Sequence, residues 1–227
     1  MMIIERLKSI PSTQDYIKKY IPKRQNAVVV AEEQTAGKGT KGRTFISEKG
    51  GLYVSKLHFH EFLPAKDCHQ IMVNTAMAVV KTLLAFGVDA RIKWPNDIWV
   101  NNKKICGILT QNSFKGEFVD YSLVGIGVNL NNDIAKEIAD IAISLKQATQ
   151  KEVDGQVFLL TLLHNLNQTS LISDYKAYNL VLGKQITVCK GNENYSAIAV
   201  DILQDGALLL DNGEKLYAGE LNVKISL

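Results

Sequence analysis

Residues 27–43 read AVVVAEEQTAGKGTKGR, and their reading decides the kind of fold the chain can adopt. Residues 27–33 are apolar and β-branched before closing on two glutamates, which predicts a buried strand. Residues 37–43 then bring together Gly37, Gly39 and Gly42 with Lys38, Lys41 and Arg43. A strand followed by Gly37-x-Gly39-x-x-Gly42 has the spacing of a dinucleotide-binding turn, but that fold needs an amphipathic helix directly afterwards. Residues 41–51 (KGRTFISEKGG) carry no helical period, so they prolong a loop instead. The Walker A spacing is absent as well. The functional reading is an anion-binding nest: glycines let successive N–H groups point inward, and lysine and arginine add charge suited to phosphate oxygens. The bland reading is a solvated turn that is basic by chance. The loop alone does not choose between them.

Working outward, Pro11-Ser12-Thr13 predicts a turn into a helix through Tyr20, with Ser12 or Thr13 as N-cap. A strand is expected over 52–59, then a helix over 66–86 that Gly87 ends. Short strands follow at 90–94, 98–100, 105–111 and 119–128, with turn signals at Asn101-Asn102 and Lys115-Gly116. Helical stretches are expected at 134–145 and 156–182. From Gly183 the pattern changes to five short strands with turns at 191–192, 204–206 and 211–213. The class is α+β, with a mixed, largely antiparallel sheet and flanking helices over residues 1–182. Residues 183–227 form a small β-barrel-like module, too small to be stable by itself.

Composition narrows the partners. In 227 residues, 46% are hydrophobic and 22% charged, with a net charge of +3, so no polyelectrolyte partner is implied and DNA binding is not expected. No apolar run reaches membrane-spanning length, and Glu5, Arg6 and Lys8 interrupt any signal-peptide core. Cys68, Cys106 and Cys189 lack metal-ligand spacing and suit a reducing cytoplasm.

Other motifs carry chemistry. In Lys93-Trp94-Pro95-Asn96-Asp97, Lys93 ends an apolar strand and should meet a carboxylate or phosphate, because an unpaired buried charge is costly. Asn96 and Asp97 offer oxygens suited to Mg²⁺ or hydrogen bonding; the bland alternative is a turn with a snorkelling lysine. Glycines inside strands, as at Gly107, Gly125 and Gly127, mark bulges or close approach of a ligand. Asn129 could read an adenine edge. His58 and His60 share a strand face, but with no third ligand in position they read as surface histidines rather than a zinc pair. Trp94 and Trp99 read as core or pocket wall.

Taken in order, residues 11–14 (PSTQ), 33–39 (EQTAGKG), 50–55 (GGLYVS), 93–97 (KWPND), 104–109 (KICGIL) and 125–131 (GIGVNLN) resemble the catalytic core of biotin–protein ligases. The resemblance covers nearly the whole chain. It implies a class II synthetase-like core and, from Gly206-Ala207-Leu208-Leu209-Leu210 and Gly219-Glu220, a C-terminal SH3-like module. It also implies the activity: ATP and biotin form biotinoyl-5′-AMP, and a lysine of a biotin carboxyl carrier protein, an acetyl-CoA carboxylase subunit, then takes the biotin. By resemblance, Ser12, Thr13, Gln14 and Gln34 bind the ureido ring and its neighbours, and Gly50, Gly51 and Tyr53 shape the pocket wall. Lys38, Gly39 and Thr40 lie over the biotin carboxylate and phosphate. Lys41 and Arg43 face the nucleotide phosphates, and Asn96, Lys104, Gly107, Gly127 and Asn129 help hold the nucleotide. Lys93, with Arg43, stabilises the transition state, and Asp97 is the candidate Mg²⁺ ligand.

The departures from the family pattern are specific. Lys38 and Thr40 stand where the family loop most often has arginines, which removes bidentate geometry and one charge. Phe45 replaces a frequent tryptophan. No aromatic residue between Asn131 and Leu145 is available to stack on adenine. The chain begins almost at the Ser12-Thr13 motif, so a ligase without repressor function is expected. Exposed sheet edges leave a homodimer open. The nearest rival is a lipoate–protein ligase, disfavoured by KWPND and the polar Ser12-Thr13-Gln14 start. A non-enzymatic ligand-binding or nucleic-acid-binding protein is the rival of another class.

Overall fold

The computed structural model describes residues 2–190, 193–217 and 222–225. The chain opens with β1 (Ile3–Ile10), α1 (Thr13–Tyr16) running into a 3-10 turn at Ile17–Tyr20, β2 (Ala27–Gln34) and β3 (Leu52–Pro64). Then come α2 (His69–Ala85), β4 (Arg91–Lys93), β5 (Asp97–Val100), β6 (Lys103–Lys115) and β7 (Phe118–Val128). Three short helices follow: α3 (Leu145–Thr149), α4 (Gly155–Asn165) and α5 (Ile172–Ala177). The last strands are β8 (Gln185–Lys190), β9 (Glu193–Ile202), β10 (Leu208–Leu210), β11 (Lys215–Leu216) and β12 (Asn222–Ile225).

Seven strands make one sheet in the order β1-β2-β3-β7-β6-β5-β4. Only β1 and β2 run parallel; the other neighbours are antiparallel, as the sequence predicts. Strand β1 is absent from the expectation. Its inward Ile3, Glu5 and Leu7 alternate with exposed Ile4, Arg6 and Lys8, so charges disguise an edge strand.

The two faces of the sheet have different fates. Val28, Val30, Val54, Ile108 and Ile126 pack under α2 and α4 in the main core. On the opposite face, Val29, Leu57 and Leu123 meet Ile17 and Tyr20 in a smaller cluster. Farther along that second face the residues are small or polar, among them Ser55, Gly107, Gly125 and Gly127, and the 37–45 loop lies over them.

Two helical expectations are corrected. Residues 134–145 hold only a 3-10 turn at Lys136–Ile138, because backbone bonds to Lys104 keep Ile141 and Ile143 extended beside β6. The helix starts at Leu145, where Ser144 and Gln147 form a capping box. The 156–182 stretch breaks between α4 and α5. After α5 the chain runs alongside β4, with the Ile92 amide donating to Tyr178 O at 2.8 Å and the Leu180 amide to Ile92 O at 2.7 Å.

The five late strands form an antiparallel sheet in the order β11-β10-β9-β8-β12, with left-handed glycines at Gly206 and Gly213 in its turns. The expected 191–192 turn and the Gly219-Glu220 match lie outside the described residues. Ile186, Val188, Ala199, Leu208 and Leu210 join the same main core as α2 and α4, so this sheet is seated on the larger one by continuous apolar packing.

Candidate functional site

The N-cap of α1 begins the site. Ser12 accepts from the Asp15 amide, which fixes the first turn and buries Ser12, Thr13 and Gln14 against the sheet at 3%, 3% and 4% exposure. Such buried polar groups need partners. The Thr13 amide and hydroxyl donate to Gln34 Oε1 at 2.8 and 2.9 Å. Gln34 Nε2 donates to Ser47 Oγ at 3.0 Å, and Ser47 Oγ to Phe45 O at 2.9 Å. Ser55, fully buried, lies 2.9 Å from Thr13 Oγ1 and 3.0 Å from Gln14 Oε1. Gln14 Nε2 donates onward to Leu123 O at 3.3 Å. Gln34 therefore joins the start of α1 to the far end of the glycine-rich loop. Ser55 belongs to this network although the sequence singled it out only as part of a motif; its inward register on β3 between Tyr53 and Leu57 was the available signal.

The loop closes over these groups as a short hairpin. Lys38 bridges Thr44, and the Gly39 amide donates to Arg43 O at 2.7 Å. Lys41 and Gly42 both take left-handed conformations, at φ 58° and 72°. Arg43 donates from Nη2 to Thr40 Oγ1 at 2.9 Å, so the residue that replaces a family arginine anchors the next one. Lys38 Nζ lies 2.5 Å from Asp15 Oδ2. Lys18 and Lys38 together hold the Asp15 carboxyl below its ordinary value. Beyond the loop, the Phe45 ring covers Gly127 and Gly107; a Cβ on Gly127 would lie 2.6 Å from that ring, so a side chain there would displace it.

Two hollows result. The first, about 170 Å³, is walled by Ser12, Thr13, Gln14, Gln34 and Tyr53 on one side. Lys38, Gly39, Thr40 and Arg43 border it from the loop, Asn96 from the turn before β5, and Asp97, Lys104, Gly107 and Gly127 from β5–β7. Tyr53 donates to Glu48 O at 2.7 Å, and burial pushes its phenol up. Lys104 Nζ pairs with Asp97 Oδ1 at 2.8 Å. The second hollow, about 700 Å³, adjoins the first at Thr40, Arg43, Asn96, Asp97 and Ile108. Lys41, Lys93, Trp94 and Pro95 line it, with Cys68 and Met72 from the start of α2 and Asp205, Gly206 and Tyr217 from the late strands. Lys93 Nζ sits 4.6 Å over the Trp99 ring.

Three sequence candidates line neither hollow. Gly50 accepts the Asn131 amide at 2.8 Å, Gly51 lies under the Tyr53 hydroxyl, and the Asn129 carboxamide accepts from Asn132 at 3.2 Å. Asn96 lines both hollows, and its Nδ2 donates to Ile108 O at 2.7 Å while its own carbonyl accepts the Ile108 amide at 2.9 Å. Among the described residues no three His, Cys, Asp or Glu side chains gather as a metal site. The rings of His58 and His60 stand 4.8 Å apart, with His60 Nε2 2.6 Å from Ser122 Oγ. No disulfide joins the three cysteines, and among the described residues no helix is long and apolar enough to cross a membrane.

Comparison with known proteins bears on this arrangement. Residues 7–129 match the model of the biotin/lipoate A/B protein ligase family, and residues 181–221 that of the biotin protein ligase C terminal domain. The bifunctional ligase/repressor BirA of Bacillus subtilis is 31% identical over 88% of this chain, which spans 66% of that relative's length. A biotin–[acetyl-CoA-carboxylase] ligase of Paracoccus denitrificans is 36% identical over 59% of this chain and 58% of its own. Among solved structures, the biotin protein ligase from Aquifex aeolicus in complex with biotin and ATP superposes with a TM-score of 0.82, at 27% identity over 99% of both chains.

Proposed function

Because the chain belongs to the biotin/lipoate A/B protein ligase family, we propose that it activates biotin with ATP and transfers it to a lysine of a biotin carboxyl carrier protein, in the cytoplasm. The observation that carries this reading is the first hollow. It faces a buried hydrogen-bonding network, Thr13–Gln34–Ser55, with the cations Lys38, Arg43 and Lys104 across one small cavity.

The chemistry demands such a pairing. A carboxylate acylates nothing until it gains a leaving group, and the first step brings two anions together, so fixed cations and N–H dipoles must offset their repulsion. Ser12, Thr13, Gln14 and Gln34 take the ureido ring, with Ser55 orienting them and Tyr53 closing the wall. Lys38, Gly39 and Thr40 lie over the biotin carboxylate. Lys41 and Arg43 meet the nucleotide phosphates, and Asn96, Lys104, Gly107 and Gly127 hold the rest of the nucleotide. A biotin carboxylate oxygen attacks the α-phosphorus, and pyrophosphate leaves with the electrons of the broken P–O bond. Lys93 neutralises charge growing on the carboxylate and α-phosphate oxygens, and is not a nucleophile. The neutral amine of the carrier lysine then attacks the acyl carbon, and AMP departs.

Mg²⁺ enters this reading with the ATP substrate. Asp97 is the only carboxylate lining the first hollow among the described residues, and a single carboxylate beside substrate phosphates is an ordinary Mg²⁺ arrangement. Residues 1–182 are read as the catalytic domain and 183–227 as an SH3-like C-terminal domain, supported by the match at 181–221.

The test is incubation of the chain with ATP, biotin and an isolated carrier domain, followed by detection of covalent biotin. ATP-dependent transfer is the expected result. Transfer of lipoate in its place would move the protein to the other branch of its family, and no transfer of either acid would sink the proposal.

A further inference from the structure

The turn that carries Lys93 is held by two residues far away in sequence. The Tyr175 hydroxyl, on α5, donates to Pro95 O at 2.7 Å, and Tyr175 is 3% exposed. On the other side, Trp94 Nε1 donates to Gly206 O at 3.2 Å, and Trp94 is also 3% exposed. Gly206 occupies the turn between β9 and β10 at φ 81°, where a side chain is strained. A Cβ there would also lie 2.9 Å from His69 Cβ at the start of α2, so only glycine lets this turn seat closely enough to present its carbonyl. The Asn96–Ile108 pair of hydrogen bonds secures the third side.

We propose that Tyr175 and Gly206 are positioning residues for Lys93: they clamp Trp94 and Pro95 from two directions and so fix the lysine that precedes them. The inference rests on the biotin-activation reading, in which Lys93 acts on the transition state. Both donor side chains are buried, and losing either donor leaves its half-buried carbonyl acceptor without that partner. Neither residue touches the first hollow, so neither bears on biotin affinity. Both line the second, where α5, α2 and the late strands converge on the turn.

The test uses Tyr175→Phe, which removes one oxygen and leaves the ring in place. In biotin-dependent ATP–pyrophosphate exchange, kcat should fall roughly tenfold with an unchanged KM for biotin, since misplacement of a catalytic group by a fraction of an ångström carries costs of this order. In a Lys93→Ala background the same substitution should cost nothing further, because its effect runs through the lysine. Multiplicative losses in that background, or a lowered melting temperature with wild-type kcat, would overturn the assignment. Gly206→Ala, assayed at a permissive temperature, should repeat the pattern and provides the same test if Tyr175→Phe is insoluble. Hydrogen exchange over peptide 93–97 in the free protein reads the clamp without any assay of activity. Exchange should rise in Tyr175→Phe, and unchanged exchange overturns the proposal. A wild-type chain lacking exchange activity would defeat the functional reading and leave this measurement to decide the clamp.

Discussion

The two hollows differ in how they are built. The first is walled by α1 and its cap, the end of β2, the loop that follows and strands of one sheet, tied by a single connected network whose Gln14–Leu123 bond spans 109 residues. Its polar groups already satisfy one another through Gln34 and Ser55. The second draws on α2, α5, the β4–β5 turn and the late strands, and the Trp94–Gly206 bond in it joins residues 112 positions apart. In the proposed activity the first hollow only has to match a small rigid ring, and its polar groups do so as one preformed network. A site that must hold one lysine steady against a moving charge benefits from supports on several sides.

Four measurements would break or sharpen this contrast. The largest effect is expected from Lys93→Ala, which should depress adenylate formation by roughly two to three orders of magnitude, the range for losing a transition-state charge contact. Biotin affinity by calorimetry should hardly change. Equal loss of both would erase the distinction between the hollows. Ser55→Ala should act oppositely. It removes the hydroxyl between Thr13 and Gln14, so biotin Kd should rise about five- to tenfold, the usual scale for one buried hydrogen bond, with kcat kept at saturating biotin. A kcat effect without a Kd effect would place Ser55 outside the recognition network.

Thr40→Arg restores the charge this loop lacks and gives up the bond to Arg43. Adenylate release, followed by stopped-flow fluorescence, should slow by roughly two- to fivefold, since exposed charge contacts contribute up to about 1 kcal/mol. Faster release would show that the Thr40–Arg43 contact matters more than the missing cation. The smallest effect concerns His60. Burial first, then the charges of His58 and Lys56, lowers its pKa from 6.5 to about 4. The unfolded chain takes up this proton near 6.5 and the folded chain resists until about 4, so the stability involved is complete above that window and is lost as pH falls through it. His60→Asn should flatten the fall in melting temperature below about pH 6.5. Adenylation should be unchanged, because the two-residue strand alternation puts His60 on the face away from Ser55 and the first hollow.

How much was legible depended on whether the deciding contacts were local. The strand at 27–33, the loop after it and the hairpin turns followed from β-branching and glycine. The misread stretch at 134–145 had apolar residues at helical intervals, yet Lys104 on β6 offered backbone partners that held it extended. Strand β1 was hidden because this edge strand carries charges among its exposed alternate residues, which masks its register. Within the site, Gly50, Gly51 and Asn129 were named for a pocket that they do not line, while Tyr175 carried no motif at all. Its role comes only from a helix axis that aims one hydroxyl at Pro95.

By itself, then, the sequence determined the α+β class, the non-Rossmann character of the glycine loop and the polar start of α1, because these rest on period, propensity and residues a few positions apart. Tertiary structure alone decided which lysine faces which hollow, what steadies the Lys93 turn, and where the late strands sit. Those outcomes depend on the closing of long loops and on packing across one shared core, and no local pattern encodes the partner at the far end of such a contact.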